Sequence, residues 1–163
     1  MNRKLKIKNF NDIYLDLGCG NEDHNRPEND RNNIRMDMTD YGQEIVWNAK
    51  EGIPLPDNSC SHITASHFIE HFREEDVIEI INECWRVLKK GKELYIICPS
   101  FHRDESWLPV HLWHPTEISF RFFEWDNITR ADNDNRGEIK QWKINELITN
   151  NKKDIHCKMT PNK

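Results

Sequence analysis

The sequence predicts an α/β protein with a mostly parallel sheet, one or more antiparallel edge strands, and a loop in place of the first crossover helix. Three observations carry this. A short β-type run stops abruptly at paired glycines in "YLDLGCG" (14–20). A long amphipathic stretch, 74–90, has one apolar face at helical spacing. The run that follows it, "ELYIICP" (93–99), is almost wholly apolar, as suits a strand covered on both faces of a parallel sheet.

The elements follow in chain order. "DIYLDL" (12–17) is a strand candidate ending at glycine. Residues 21–33, "NEDHNRPENDRNN", hold no aliphatic side chain, cannot bury a helix face and read as a loop. "IRMDM" (34–38), "EIVW" (44–47) and "SHITAS" (61–66) are further short strands. Between the last two, "GIPLPDNS" (52–59) is broken by two prolines and a turn signal. In 74–90, Val77, Ile78, Ile80, Ile81, Cys84, Trp85, Val87 and Leu88 form the core face of a helix. Acids open it, lysines close it, and Gly91 supplies the stop. Residues 100–115 are irregular. "PTEISFRFFEW" (115–125) starts a helix with proline in its first turn, and Phe120, Phe122 and Phe123 read as core. "RADNDNRG" (130–137) is a loop. "IKQWKI" (139–144) and "DIHCKM" (154–159), joined by "NELITNNKK", form an antiparallel hairpin at the sheet edge.

Composition bounds the function. A chain of 163 residues suits a single domain, read here as 1–163, with a ligand-holding part at 12–100 and a lid or substrate part at 101–163. The net charge of −5 argues against nucleic acid as a partner. The cluster Arg86, Lys89, Lys90 and Lys92 reads as a solvated helix end. Five cysteines without a CxxC pair suit free thiols in a reducing compartment. No apolar run reaches the roughly 20 residues that span a bilayer, and the first residues lack a signal-peptide pattern. The expected place is the cytoplasm.

Paired glycines after a first strand let a ligand approach the main chain. The dinucleotide fingerprint needs a third glycine where Asp23 stands, and a helix directly after the turn. Both are missing, so a phosphate-rich cofactor is disfavoured. Asp16, just before the glycines, favours a cationic or hydroxyl-rich ligand.

With these residues in view, "LDLGCG" resembles the first motif of class I S-adenosylmethionine-dependent methyltransferases, in a compact, type 11-like branch with a Rossmann-like fold. "RMDM" (35–38), "GIPLPDNSCSHITASHFIEHF" (52–72) and "RVLKKGKELYIICP" (86–99) resemble later motifs of that family in the same order. The resemblance covers about 13–100. It implies that Gly18 and Gly20, with Cys19 between them, admit the methionine part of the cofactor. It implies that Asp16 holds the ammonium group, directly or through water. Asp37 would hold the ribose hydroxyls beside Met38. Asn48 and Ala49 would border the adenine, Asn48 accepting from the adenine amino group. Ser66 would face the sulfonium side, and His67 would shape the pocket. The departures are the missing third glycine, Asn48 where an acid is common, Cys60 and His62 in place of Phe and Asp, and Lys90 and Lys92 in the turn.

Methyl transfer from a sulfonium needs alignment and dryness more than chemistry. A base is needed when the acceptor must lose a proton; His67, His71, His102, His111 and His114 are all candidates, with His71 and His67 placed first. Glu70 orients His71 or caps the helix that follows. The segment "SFHRDESWLPVHLWHPTEISF" (100–120) reads as an aromatic lid and substrate pocket. Its other readings are a cover for the sheet, and a metal site formed by His102, Asp104, His111 and His114. No residue is assigned to a metal. The expected activity is methyl transfer to a small-molecule or sugar-like acceptor, yielding S-adenosylhomocysteine. A cofactor-binding module without transferase activity and a nicotinamide-dependent oxidoreductase are the rival readings.

Overall fold

The computed structural model describes residues 4–5, 7–21, 32–124 and 139–163. Among these, eight strands form one sheet: β1 (Lys4–Leu5), β2 (Ile13–Leu17), β3 (Asn32–Asp37), β4 (Ile45–Val46), β5 (Cys60–Ser66), β6 (Leu88–Pro99), β7 (Trp142–Thr149) and β8 (Asp154–Pro161). Their spatial order is β1-β4-β3-β2-β5-β6-β8-β7. The centre, from β4 to β6, is parallel. Both ends are antiparallel: β1 on β4, and the β7–β8 pair on β6. Helix α1 (Glu74–Val87) makes the crossover from β5 to β6, and a short helix α2 (Glu117–Arg121) precedes β7. The expected α/β, Rossmann-like sheet is therefore present.

The alternation in β2 explains its place. Ile13, Leu15 and Leu17 are fully buried, while Tyr14 and Asp16 between them are only half so. Helix α1 opens on Glu74, Glu75 and Asp76 and buries Val77, Ile78, Ile80, Ile81, Cys84 and Val87. Trp85 packs at its edge, half-buried, donating from Nε1 to the Gln141 carbonyl at 3.0 Å, with Lys163 Nζ 4.6 Å from its ring centre.

Several boundaries differ from the sequence reading. The helix stops at Val87, three residues short of Lys90, because Leu88 enters the sheet opposite Cys60 and is fully buried there. That burial is worth about 1.5–3 kcal/mol, more than the few tenths per residue that helix propensity offers. Gly91, at φ +72°, therefore serves the irregularity where β6 shifts register against β5 rather than a helix end. The second strand starts at Asn32, so Asn32 and Asn33 are not loop, and Met38 lies beyond its end. The rest of the expected loop, 22–31, lies outside the described residues, as does 130–137. Helix α2 starts after Thr116, whose N–H donates to Ser119 Oγ at 3.1 Å, so Pro115 precedes the helix. "NELIT" (145–149), read as a connector, belongs to β7. An outermost strand faces solvent on one side and tolerates Asn and Glu. The turn itself is tightened by Asn150, whose Oδ1 accepts from the N–H groups of Lys152 and Asp154 at 2.9 Å. Strand β1 had no sequence signal of its own.

The prolines of 52–59 are held down by a single guanidinium. Arg86, in the last turn of α1, donates from Nη1 to the Leu55 carbonyl (2.9 Å) and Asp57 Oδ1 (2.7 Å). Its Nη2 donates to the Ile53 carbonyl (2.8 Å), and Nε and Nη2 both reach Glu83 at 2.8 Å. The Ile53 N–H in turn donates to Glu83 Oε2 at 2.8 Å. Lys89 pairs with Asp12 at 2.7 Å. The basic cluster is thus partly structural.

Candidate active site

The carboxyl ends of parallel strands form the rim where α/β sheets bind ligands. Three chain exits meet there: Gly18 after β2, Asp37 at the end of β3, and His67 after β5. Gly18 (φ +68°) and Gly20 (φ +58°) both need the left-handed region that glycine alone enters cheaply. The turn is tied to β3 by main chain: the N–H of Gly18 donates to the Met36 carbonyl at 2.8 Å. It is tied again by side chain, since the Gly20 N–H donates to Asp37 Oδ2 at 3.1 Å. Asp37 Oδ1 accepts from the Thr39 N–H at 2.9 Å. An ionised carboxylate offers about four acceptor sites. Two are met here, which leaves two for a ligand.

A cavity of about 240 Å³ opens beside this carboxylate, lined in part by Gly18, Asp37, Met38, Asn48, Ala49 and His71. Six of the residues singled out from the sequence thus share one wall. Gly20 joins them through Asp37. Asn48 contributes differently from expectation. Its Oδ1 accepts from the Lys50 N–H at 3.1 Å and caps the turn Ala49–Glu51. Its amide nitrogen and the oxygen's second lone pair are what it can offer a ligand.

Asp16, Cys19, Ser66 and His67 do not line the cavity. Asp16 accepts from Thr64 Oγ1 at 3.1 Å on the neighbouring strand. Cys19 is buried, and burial pushes its thiol up to about 12, so it is no nucleophile near neutrality. All five cysteines are buried free thiols. Ser66 ends β5 opposite Ile97. His67 sits at φ +50°, a left-handed conformation that costs a histidine energy and marks a constrained turn. Its Nδ1 lies 3.3 Å from Glu70 Oε1, and the Glu70 carboxylate holds its pKa above the ordinary imidazole value.

Aromatic side chains that the sequence reading did not assign complete the wall: Trp47, Phe68 and Phe72. Phe68 matters most. Its ring lies over Gly18 so closely that a Cβ there would stand 2.2 Å from Phe68 Cδ2. Glycine at 18 is therefore required twice, by its φ and by this ring. Its sequence signal is "HFIEHF" (67–72), in which the aromatic residues flank the histidines.

The segment after β6 forms a second, larger cavity of about 580 Å³, whose walls include Phe101, Trp113, His114, Ile118, Phe122 and Phe123. Phe120 and Phe123 are buried, as expected of core residues, while Phe122 is half-buried. The main chain of Glu70 joins the two cavities: its carbonyl accepts from the N–H groups of Leu112 (2.7 Å) and Trp113 (3.1 Å), next to His71 of the first wall.

A family model described as a methyltransferase domain matches residues 15–96, just over half of the chain. The chain belongs to that methyltransferase family. The matched span contains Gly18, Asp37, Asn48 and His71 of the cavity wall. Solved structures agree in fold. A SAM-dependent methyltransferase from Archaeoglobus fulgidus is 18% identical, with a TM-score of 0.60 over 92% of this chain and 86% of that one. One from Aquifex aeolicus, also 18% identical, gives 0.58 over 97% and 84%. The N-methyltransferase NodS from Bradyrhizobium japonicum, solved with S-adenosyl-l-homocysteine, is 10% identical and gives 0.63 over 93% and 79%. A comparison with curated proteins finds no sequence match. Among the described residues, no helix is long and apolar enough to cross a membrane.

Proposed function

We propose that this methyltransferase binds S-adenosylmethionine in the cavity between Gly18 and Asp37 and methylates a small-molecule or sugar-like acceptor held in the larger aromatic cavity. The observation that carries the reading is the convergence of glycine turn and carboxylate. Gly20 and Asp37 are hydrogen-bonded, and Gly18 and Asp37 share one wall.

The residues present suit the nucleoside. Asp37 keeps acceptor capacity for two hydroxyls. Ala49, Met38 and the aromatic walls offer an apolar slot for the base, with the Asn48 amide at its edge. The volume of about 240 Å³ falls below the roughly 300 Å³ at which pockets for whole drug-sized ligands begin. The methionine tail therefore needs the space now taken by the Phe68 ring over Gly18. Turning that ring aside exposes the glycine main chain, and the same ring then covers the bound tail and keeps water from it.

The cofactor supplies a methyl group already activated by a sulfonium. The chain's own work is to orient and to exclude water. His71, exposed at the rim of the first cavity, is placed to take a proton from an acceptor hydroxyl or amine. Residues 101–123 wall the acceptor with aromatic side chains, which stack on flat rings and on sugar faces. The test is turnover. Purified protein incubated with methyl-labelled S-adenosylmethionine and a metabolite pool should yield S-adenosylhomocysteine and a labelled small product. Binding without label transfer would make the chain a cofactor-binding module instead. A nicotinamide cofactor that stabilises the fold where S-adenosylhomocysteine does not would contradict both.

A further inference from the structure

We infer that Glu70, His71 and His111 form a binding site for a divalent transition-metal ion at the junction of the two cavities. The anchor is Glu70. Its side chain is fully buried, and neither carboxylate oxygen accepts a hydrogen bond. The nearby His67 Nδ1, at 3.3 Å from Oε1, makes an ion-pair approach rather than a well-formed hydrogen bond. A single half-exposed imidazole is a thin complement for a fully buried carboxylate, and a metal cation would complete it.

Two imidazoles stand beside it. One ligand atom from each of Glu70, His71 and His111 lies within 4.8 Å of the others. The rings of His71 and His111 meet edge-on with centres 4.9 Å apart. His71 Nδ1 is 3.2 Å from the Val110 carbonyl. Donation to that carbonyl fixes the tautomer and leaves Nε2 as the ligand atom, the arrangement metal-binding histidines commonly adopt. His111 carries a buried Nδ1 with no hydrogen-bond partner. Two unsatisfied groups on separate segments thus face one place.

The fold holds them there with main-chain bonds. The Glu70 carbonyl accepts from Leu112 and Trp113, which pins the 110–113 segment against the Ile69–His71 turn. Binding would draw the three donors in to bonds of about 2.0–2.2 Å. His71 is exposed and gives both the freedom to move and the route of entry. Two imidazoles and one carboxylate suit zinc, manganese or ferrous iron better than calcium or magnesium, and leave coordination positions open. Those positions would take water or an acceptor oxygen, whose pKa a bound metal lowers, so that with metal bound the metal rather than His71 activates the acceptor. This departs from the sequence reading, which assigned no metal and considered His102, Asp104, His111 and His114. In the structure His114 stacks on Trp107 at 4.4 Å and His102 packs edge-on to Phe101 at 5.4 Å, away from the cluster.

Because His71 also lines the cofactor cavity, the test uses the metal alone, with no methyl donor present. Co²⁺ is titrated into the full-length, metal-stripped protein, with visible d–d absorption as the readout and Zn²⁺ as the competitor. The expected result is one Co²⁺ per chain, displaced by Zn²⁺. Glu70→Gln and His111→Ala should each weaken binding at least tenfold while keeping the native circular dichroism spectrum, and His102→Ala and His114→Ala should leave it unchanged. Absence of d–d bands in the wild type would overturn the proposal. So would bands that survive both Glu70→Gln and His111→Ala, or that are lost in the His102 or His114 variant instead. S-adenosylhomocysteine binding by the same metal-free protein reports on the methyltransferase reading separately.

Discussion

Two carboxylates within fourteen residues of each other live in opposite circumstances. Glu83, on α1, is half-buried and receives three donors: Arg86 Nε, Arg86 Nη2 and the Ile53 N–H, each at 2.8 Å. Glu70, at the turn before α1, is fully buried and has only the His67 imidazole beside it, 3.3 Å away. The first has its needs met by the fold and serves the fold. The second, like Asp37 with two acceptor sites to spare, is held by the fold in a state that a ligand would complete. Disturbing the Glu83–Arg86 clamp should therefore cost stability. Disturbing the Asp37–Glu70 rim should cost binding beyond any loss of stability.

The largest effect expected is from Arg86→Ala. It strands a half-buried carboxylate and frees the carbonyls of Ile53 and Leu55. Removing one partner of such a pair should cost about 3 kcal/mol, toward the low end for fully buried pairs because water reaches this one. Urea unfolding measures it, and a loss near zero would erase the distinction between the two regions. Next is Asp37→Ala, expected to weaken S-adenosylhomocysteine by about 1.5–3 kcal/mol, the scale of hydrogen bonds to a charged group, along with a loss in unfolding from the freed Gly20 and Thr39 N–H groups. Gly18→Ala should cost about 1–2 kcal/mol from the left-handed backbone alone, and more from its collision with Phe68. Adding Phe68→Ala should recover the collision part and not the backbone part.

A pH titration separates the regions further. Hydrogen bonds from Arg86, the leading cause, hold the Glu83 carboxyl below its ordinary value of 4.5. A depressed folded value means that the clamp's contribution is whole above about pH 4.5 and is lost as pH falls through the lower folded value. Unfolding followed from neutral pH into acid should show this loss, and Glu83→Gln should flatten it. The smallest effect is expected at Glu70→Gln. The amide oxygen can still accept from His67, and the ion pair lost is half-exposed on the histidine side, so stability should change by less than about 1 kcal/mol.

The comparison also explains what could be read from the sequence. The parallel core was legible because each element follows from a period: two in Ile13–Leu17, 3.6 in Glu74–Val87, and a continuous apolar run in Leu94–Cys98. The candidate rim was legible through Gly18, Gly20 and Asp37, whose residue types are forced by backbone geometry and by charge. The helix end was misplaced because Leu88 answers to a strand far away in sequence. Phe68 went unread because an aromatic beside histidines carries no local sign of lying over a glycine fifty residues earlier. Glu70 and His111 could not be paired from sequence, since their meeting depends on a main-chain link between a turn and an irregular segment.

The central claim is most directly tested by titration calorimetry of S-adenosylhomocysteine into the wild-type chain and its Asp37→Ala variant. The account predicts one site per chain, with affinity falling at least tenfold in the folded variant. No heat of binding in the wild type, or equal affinity in both proteins, would contradict it.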